Sequence, residues 1–298
     1  MALPSFDELY LDADRNAKQF PVAVAGAADA TVLEAIQIAH DRGWIRPRLV
    51  GSEAEIRRTA EEANISLTGF TVVDAADVAG AAVSLIRSQQ AGLLMKGQIA
   101  TPALMNAVLD PAHSLRTQRV IGQIVLVELC RRNRRFLMLD TGICIQPTLQ
   151  QRMDLLGSAV ELAHKLGVEC PRVACMAATE STTPAMPETL EAAELQRLNQ
   201  TGEIPGCLVR GPLSFDLAFD PDAAAKKKLD DPAFGAADIM LFPNLLSANL
   251  TVKAIMYTAD CRFGGMLCGA ARPVVFMSRA DTVATRLNSL VLALTILR

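Results

Sequence analysis

Over its first hundred residues the chain alternates short apolar runs with stretches whose apolar positions recur at helical spacing, and few folds accommodate that rhythm. Residues 21–27 (PVAVAGA) read as a buried strand, and in 30–42 the residues Val32, Leu33, Ile36 and Ala39 fall on one helical face. The unit then repeats. Arg48-Leu49-Val50-Gly51 reads as a strand, and Ser52 with Glu55 three residues on opens a helix to about Asn64 by a capping-box pattern. A strand at 70–73 and a helix at 77–89 follow, then a strand at 92–95 and a helix at 102–109. Strands that are apolar almost throughout, each followed by a helix, predict an α/β fold with a mostly parallel sheet covered on both faces.

The rhythm breaks near residue 121. Ile121 to Leu129 and Arg135 to Leu139 read as strands joined by only Cys130-Arg131-Arg132-Asn133-Arg134, too short for a parallel crossover, so an antiparallel pair is expected. A chain of 298 residues exceeds the usual domain size of roughly 100–200, and the junction between two α/β domains is placed at this pair. The first domain then comprises 1–134 and 271–298, and the second 135–270. The four arginines around Asn133 read as a solvated turn rather than a phosphate site. Beyond it come a long helix at 148–166, strands near 172–177, 206–210, 238–242, 265–269 and 273–277, and helices between them. Lys226-Lys227-Lys228 reads as a solvated helix face, and the apolar run 290–297 as a buried terminal helix.

Two strand-to-helix turns carry the chemistry. The run Pro273-Val274-Val275-Phe276-Met277 delivers Ser278-Arg279-Ala280-Asp281 just before an amphipathic helix, where the first free N–H groups favour an anion. The strand ending at Met95 runs likewise into Lys96-Gly97-Gln98-Ile99-Ala100-Thr101-Pro102. Two such turns point to a phosphorylated substrate. Thr101 before Pro102 also predicts an N-cap followed by a proline at the first helical position.

Other classes are disfavoured. A formal net charge of -3 and only 4% aromatic residues speak against nucleic acid as a partner. Seven cysteines, an odd number without a CxxC pair, fit a reduced, cytoplasmic protein. No basic, then apolar, leader opens the chain, and its apolar runs fall short of the ~20 residues of a membrane span. His40, His113 and His164 are scattered, so no metal is expected. No GxGxxG follows a strand, so no nicotinamide is expected either, and no GxSxG surrounds Ser278.

The strings MKGQIATPALMNAVLD, SLRTQRVIGQIVLVE, LDTGICIQPTL, ATESTTPAMPETLEAAEL, GPLSFDLAFDPDAAAKK and VVFMSRADT, in that order, resemble the phosphate acetyl/butyryl transferases, most closely the butyryl branch. The resemblance runs from about residue 20 to the end. It implies two α/β domains with a cleft between them, of the isocitrate-dehydrogenase-like group, and exchange of an acyl group between coenzyme A and inorganic phosphate. Coenzyme A is then a substrate, no cofactor is needed, and a homodimer or higher homo-oligomer is expected. By the same resemblance Ser278 and Arg279 are catalytic, Arg279 holding phosphate through its planar fork. Asp281 is the nearest carboxylate able to assist thiol deprotonation, with a helix N-cap as the equal alternative. In the acetyl branch that carboxylate lies further along the helix, at a position matched here by Thr285 or a neighbour.

Lys96, Gly97 and Thr101 are expected at the substrate, and one of Arg116 and Arg119 at phosphate or coenzyme A. Asp140 and Glu180 each follow an apolar strand, as active-site polar groups do in open α/β sheets. Asn249 matches a family Asn at the start of a helix, where capping is the other reading. The chain departs from the family in having Cys144 and Thr183 where Asn is usual, Arg210 for Asp, Ala248 for Gly, and Gly122-Gln123 for a Ser-His type pair. These departures leave open a noncatalytic protein that binds coenzyme A esters, beside another phosphate-handling acyltransferase on the same fold.

Overall fold

The computed structural model describes residues 2–111, 115–227, 235–276, 278 and 280–297. In chain order its elements are α1 (Phe6–Arg15), β1 (Phe20–Ala25), α2 (Ala30–Asp41), β2 (Ile45–Gly51), α3 (Glu53–Glu62), β3 (Thr71–Asp74), α4 (Val78–Arg87), β4 (Leu93–Lys96), α5 (Thr101–Leu109), β5 (Gly122–Leu129) and β6 (Arg134–Leu139). There follow α6 (Leu149–Lys165), β7 (Arg172–Met176), α7 (Pro187–Gln200), β8 (Leu208–Leu213), α8 (Phe215–Phe219), α9 (Pro221–Lys226), β9 (Ile239–Leu241), α10 (Leu245–Thr258), β10 (Cys261–Cys268), β11 (Val274–Val275) and α11 (Val283–Ile296). Two compact units emerge, one of Phe6–Arg119 with Phe263–Arg298, the other of Met1–Ser5 with Val120–Arg262.

In the first unit the strand order is β3-β2-β1-β4-β11-β10. Every pairing is parallel except β10 with β11, as continuous apolar strands require. Val22 to Ala25 and Leu93 to Met95 are fully buried, so the β1–β4 pair forms the centre of this core. Asp29 caps α2 by accepting from the Val32 N–H, and Asp77 caps α4 through Gly80 N–H. Ser52 accepts from the Glu55 N–H (3.4 Å), one half of the expected capping box. The terminal helix α11 is longer than its apolar run and buries Arg286, Asn288 and Ser289 as well as Leu290 to Leu294. Helix α1 lacks a periodic apolar stripe long enough to read from sequence; Tyr10 Oη on it donates to Asn288 Oδ1 (2.6 Å).

In the second unit the order is β5-β6-β9-β7-β8, and only β5 with β6 is antiparallel. That hairpin is the expected pair, in register from Val125↔Met138 to Leu129↔Arg134. A junction at 134/135 would separate its two strands, whereas the units divide at 119/120 and 262/263 and keep the ladder whole. Asn133 takes the left-handed conformation (φ 47°) that closes the turn. Arg131 and Arg132 are exposed there, and Arg131 lies 3.5 Å from Asp260. Arg134 instead turns inward over the Phe219 ring, 5.4 Å from its centroid. Thr148 and Gln151 form a complete capping box at the start of α6.

Candidate functional site

Strands β1, β4 and β11 end together, because Ala25 pairs with Lys96 and Val275 with Met95 in parallel register. The turns that follow therefore emerge side by side at the carboxyl edge of the first unit's sheet, where open α/β folds bind ligands. Gly97 N–H donates to Ala25 O (2.8 Å) and Gln98 N–H to Gly26 O (2.7 Å), clamping the turn after β4 onto the turn after β1. A Cβ on Gly97 would lie 2.2 Å from Gly26 O, so the approach admits only glycine. Lys96 is 1% exposed, with Nζ 3.5 Å from Gly97 O.

Thr101 is not the expected cap. It is the first residue of α5, Ala100 takes the cap position without a side-chain bond, and Pro102 sits in the first turn. The proline fixes the helix start without help from the hydroxyl, which stays exposed.

The turn after β11 is knotted by its own side chains. Ser278 N–H donates to Asp281 Oδ2 (2.6 Å), and Ala280 N–H donates to Ser278 Oγ (3.3 Å). Asp281 does not cap α11. Thr282 does, accepting from the Thr285 N–H (3.2 Å), which leaves Asp281 to shape the turn. Arg279 lies outside the described residues, as do His113 and Lys228.

Sequence reasoning missed Arg286. It is fully buried, and its Nε donates to Thr31 Oγ1 (3.3 Å), which in turn donates to Asp29 Oδ1 (2.6 Å). Burial pulls its pKa down, and the Asp29 and Asp281 carboxylates act against that shift. The available signal was a lone cation in a helix whose neighbouring positions Leu287, Leu290 and Val291 are apolar. Arg116 is placed elsewhere in this unit. Its backbone bridges Ala270, in the turn that precedes β11, at the opposite end of that strand from Ser278. Arg119 is half-buried, and its N–H donates to Thr117 Oγ1 (3.0 Å).

The second unit gathers the other expected residues on one edge of its own sheet. β6, β9, β7 and β8 run in register, with Leu139 and Cys175 both beside Leu241 and Met176 beside Leu213. Asp140 follows β6 and is 3% exposed. Its Oδ1 accepts from the N–H groups of Gln123 (3.1 Å), Gly142 (2.9 Å) and Ile143 (3.0 Å), and its Oδ2 from Cys144 N–H (2.8 Å). Asp140 thus holds the loop that follows it.

Asn249 steadies the same loop by donating from Nδ2 to Thr141 O (2.9 Å). It lies in the second turn of α10, whose cap is Asn244, so the capping reading of Asn249 does not hold. Glu180 follows β7 and is engaged by Lys227, with Ser214 Oγ donating to it (3.0 Å). Lys227 holds the Glu180 pKa down, and lies 3.3 Å from Asp216 as well. The lysine is therefore an ion-pair partner rather than part of a bare solvated face.

The departures from the family pattern are built into local bonds. The Cys144 thiol donates to Ile121 O (3.4 Å), Arg210 Nη1 donates to Val209 O (2.9 Å), and Thr183 N–H donates to Thr189 Oγ1 (2.9 Å). A Cβ at Gly122 would fall 2.2 Å from Leu155 Cδ2, so the larger residue usual there would need that leucine to move. Among the described residues no group of three His, Cys, Asp or Glu could hold a metal ion, and no helix is long and apolar enough to cross a membrane. A groove of about 470 Å³ runs along α6 past Met153, Asp154, Glu161 and His164 and contains none of the expected site residues. Residue chemistry, not groove size, therefore marks the two sheet edges.

Residues 76–294 match the family model described as Phosphate acetyl/butaryl transferase. The phosphate butyryltransferase of Clostridium acetobutylicum is 35% identical over 294 residues, covering 98% of this chain and 97% of that protein. The phosphate acetyltransferase of Thermotoga maritima is 35% identical over 274 residues, 91% of this chain and 93% of its own length. Among solved structures, a branched-chain phosphotransacylase from Enterococcus faecalis superposes with a TM-score of 0.82 at 28% identity, covering 93% of this chain and 98% of that one. With matches that span both units and nearly the full length of the relatives, the chain belongs to the phosphate acetyl/butyryl transferase family.

Proposed function

We propose that this protein exchanges a short acyl group between coenzyme A and inorganic phosphate, converting acyl-CoA and phosphate to acyl phosphate and coenzyme A by direct transfer in a ternary complex. A phosphate oxygen attacks the thioester carbonyl carbon, an anionic tetrahedral species forms, and the C–S bond breaks as the sulfur takes up a proton. Both anions need fixed donors. The observation that carries the reading is the pairing of β4 with β11, which sets Lys96-Gly97 beside the Ser278–Asp281 turn.

Ser278 donates from Oγ to the carbonyl oxygen or the sulfur, and Arg279 grips the phosphate through two parallel N–H bonds. In the reverse direction the coenzyme A thiol, with an ordinary pKa near ~8.5, must lose its proton, and Asp281 is the carboxylate at hand. Its bond to the Ser278 N–H fixes where that carboxylate points. Direct transfer is favoured over an acyl-enzyme because the sequence offers no evident pair of nucleophile and general base.

The test is phosphate-dependent loss of thioester absorbance with acetyl-, butyryl- and branched-chain acyl-CoA. Turnover that requires phosphate is expected. Tight binding of coenzyme A esters without turnover would establish the noncatalytic alternative, and an acylated Ser278 or cysteine trapped with acyl phosphate alone would sink direct transfer.

A further inference from the structure

Helix α11 buries three polar side chains, Arg286, Asn288 and Ser289, and they meet different neighbours. Asn288 Oδ1 accepts from Tyr10 Oη of α1 (2.6 Å), and Ser289 Oγ accepts from the Gly265 N–H of β10 (2.9 Å). Those two bonds fasten the helix to the body of its unit. Arg286, one turn after the Thr282 cap, reaches instead to the start of α2, after the turn that ends β1. Its Nε donates to Thr31 Oγ1 (3.3 Å), and Thr31 Oγ1 donates to Asp29 Oδ1 (2.6 Å), the oxygen that also accepts the Val32 N–H (3.0 Å). A guanidinium can only donate, so the Thr31 hydroxyl must give its own proton to Asp29, and the chain of bonds has one direction.

A fully buried guanidinium carries a desolvation cost that an apolar side chain of similar volume would avoid. Burial pulls the Arg286 pKa down, and the carboxylates that oppose the shift, Asp29 and Asp281, come one from each of two neighbouring turns. We propose that Arg286 is a positioning residue for acyl transfer, tying the Ser278–Asp281 turn to the turn after β1 and through it to the Lys96-Gly97 turn. This deepens the acyl-transfer reading and rests on it.

Strand register holds the Ser278–Asp281 turn on its entering side only. Val274 and Val275 pair with Leu94 and Met95, whereas the chain leaving the turn is held where α11 begins. Arg286 is the buried polar residue of α11 nearest that point. Its partner turn is already clamped to Lys96-Gly97 by the bonds from Gly97 N–H to Ala25 O and from Gln98 N–H to Gly26 O. Loss of Arg286 therefore lets Ser278 shift against Lys96, and a misplacement of about 1 Å at a reacting group costs on the order of 100-fold in rate.

A member of a purely structural ion pair behaves differently. Removing one buried partner strands the other, whereas removing both is often neutral for stability. Arg286→Met strands Asp29. Adding Asp29→Asn removes that charge too, and the asparagine Oδ1 still caps α2. Arg286→Met should lower the urea midpoint followed by Trp44 fluorescence, and the double variant should return it close to wild type. Phosphate-dependent turnover of acetyl- and butyryl-CoA should stay at least tenfold, and up to about 100-fold, below wild type in both variants, with the acyl-CoA KM within about threefold. Arg286→Lys keeps a buried cation and should recover turnover to within about tenfold of wild type.

A double variant that regains turnover together with its urea midpoint, or Arg286→Met turnover within about threefold of wild type, would overturn the assignment. Hydrogen exchange decides the matter even if the wild-type chain turns over no acyl-CoA. In the double variant the N–H groups of Ser278, Ala280 and Asp281 should exchange at least tenfold faster while those of β1 keep their wild-type rate, and unchanged exchange at all three would overturn the positioning role.

Discussion

Removing the Asp140 carboxylate should unfasten the loop after β6. Four backbone N–H groups converge on that one buried side chain, and each bond from a neutral donor to a charged acceptor contributes about 1.5–3 kcal/mol. The sum is not additive, because the four share two oxygens and the loop can relax toward water. Asp140→Ala should therefore cost about 4 kcal/mol rather than the full total. Asp140→Asn is the sharper probe. Its Oδ1 can keep the three bonds from Gln123, Gly142 and Ile143, but its amide then faces Cys144 N–H, donor against donor, for a loss of about 2 kcal/mol.

Urea unfolding followed by far-UV circular dichroism measures both variants. Trp44, the only tryptophan, sits in the first unit and so reports whether the two units unfold together. If the dichroism transition moves while the tryptophan transition stays, the loss is confined to the second unit. Asp140→Ala within about 1 kcal/mol of wild type would refute the reasoning, since four orphaned buried donors could not cost so little.

Gly97→Ala should destabilise the first unit by about 3 kcal/mol or more, because its Cβ would meet backbone oxygens that cannot step aside; urea midpoints check this. Glu180 has a depressed pKa in the folded state, so its ion pair adds stability above the ordinary value of 4.5 that is lost as pH falls through the folded value. Lys227→Met should flatten that acid limb in urea midpoints measured against pH, by a modest amount because both groups are partly exposed. Arg279→Ala should lower turnover by roughly 30- to 1000-fold while coenzyme A binding by calorimetry holds, and Arg279→Lys should recover little. Asp281→Asn keeps an acceptor for Ser278 N–H, so a carboxylate that only shapes the turn predicts near-normal turnover in both directions. One that takes the thiol proton predicts a loss in the thiol-attacking direction that narrows as pH rises toward ~8.5.

The sequence exposed what depends on periodicity. Buried strands such as PVAVAGA and the helix spacing of Val32, Leu33 and Ile36 forced the parallel sheets, and the five-residue link around Asn133 forced the one hairpin in the second unit. Caps were read less well. Ser, Thr, Asp and Asn at a helix start are interchangeable by composition, and which of two neighbours takes the cap depends on a backbone angle the sequence does not display. Hence Thr101 yielded to Ala100, Asp281 to Thr282 and Asn249 to Asn244. Asp140 was legible as a polar residue after a strand, but its four partners come from the far end of β5 and from its own loop, a convergence that only the fold creates.

Arg286 and Asp281 show why a local charge cannot be assigned a role in isolation. The acetyl branch places its carboxylate near position 285, where this chain has a threonine bonded to Thr282 at 3.0 Å. An uncharged residue there leaves the buried Arg286 guanidinium to be balanced by Asp29 and Asp281, the two carboxylates that act against its depressed pKa. Asp281 therefore faces two demands, holding Ser278 N–H and offsetting a buried cation. The cap that sequence offered as the alternative role is filled by Thr282, which frees the carboxylate for this arrangement.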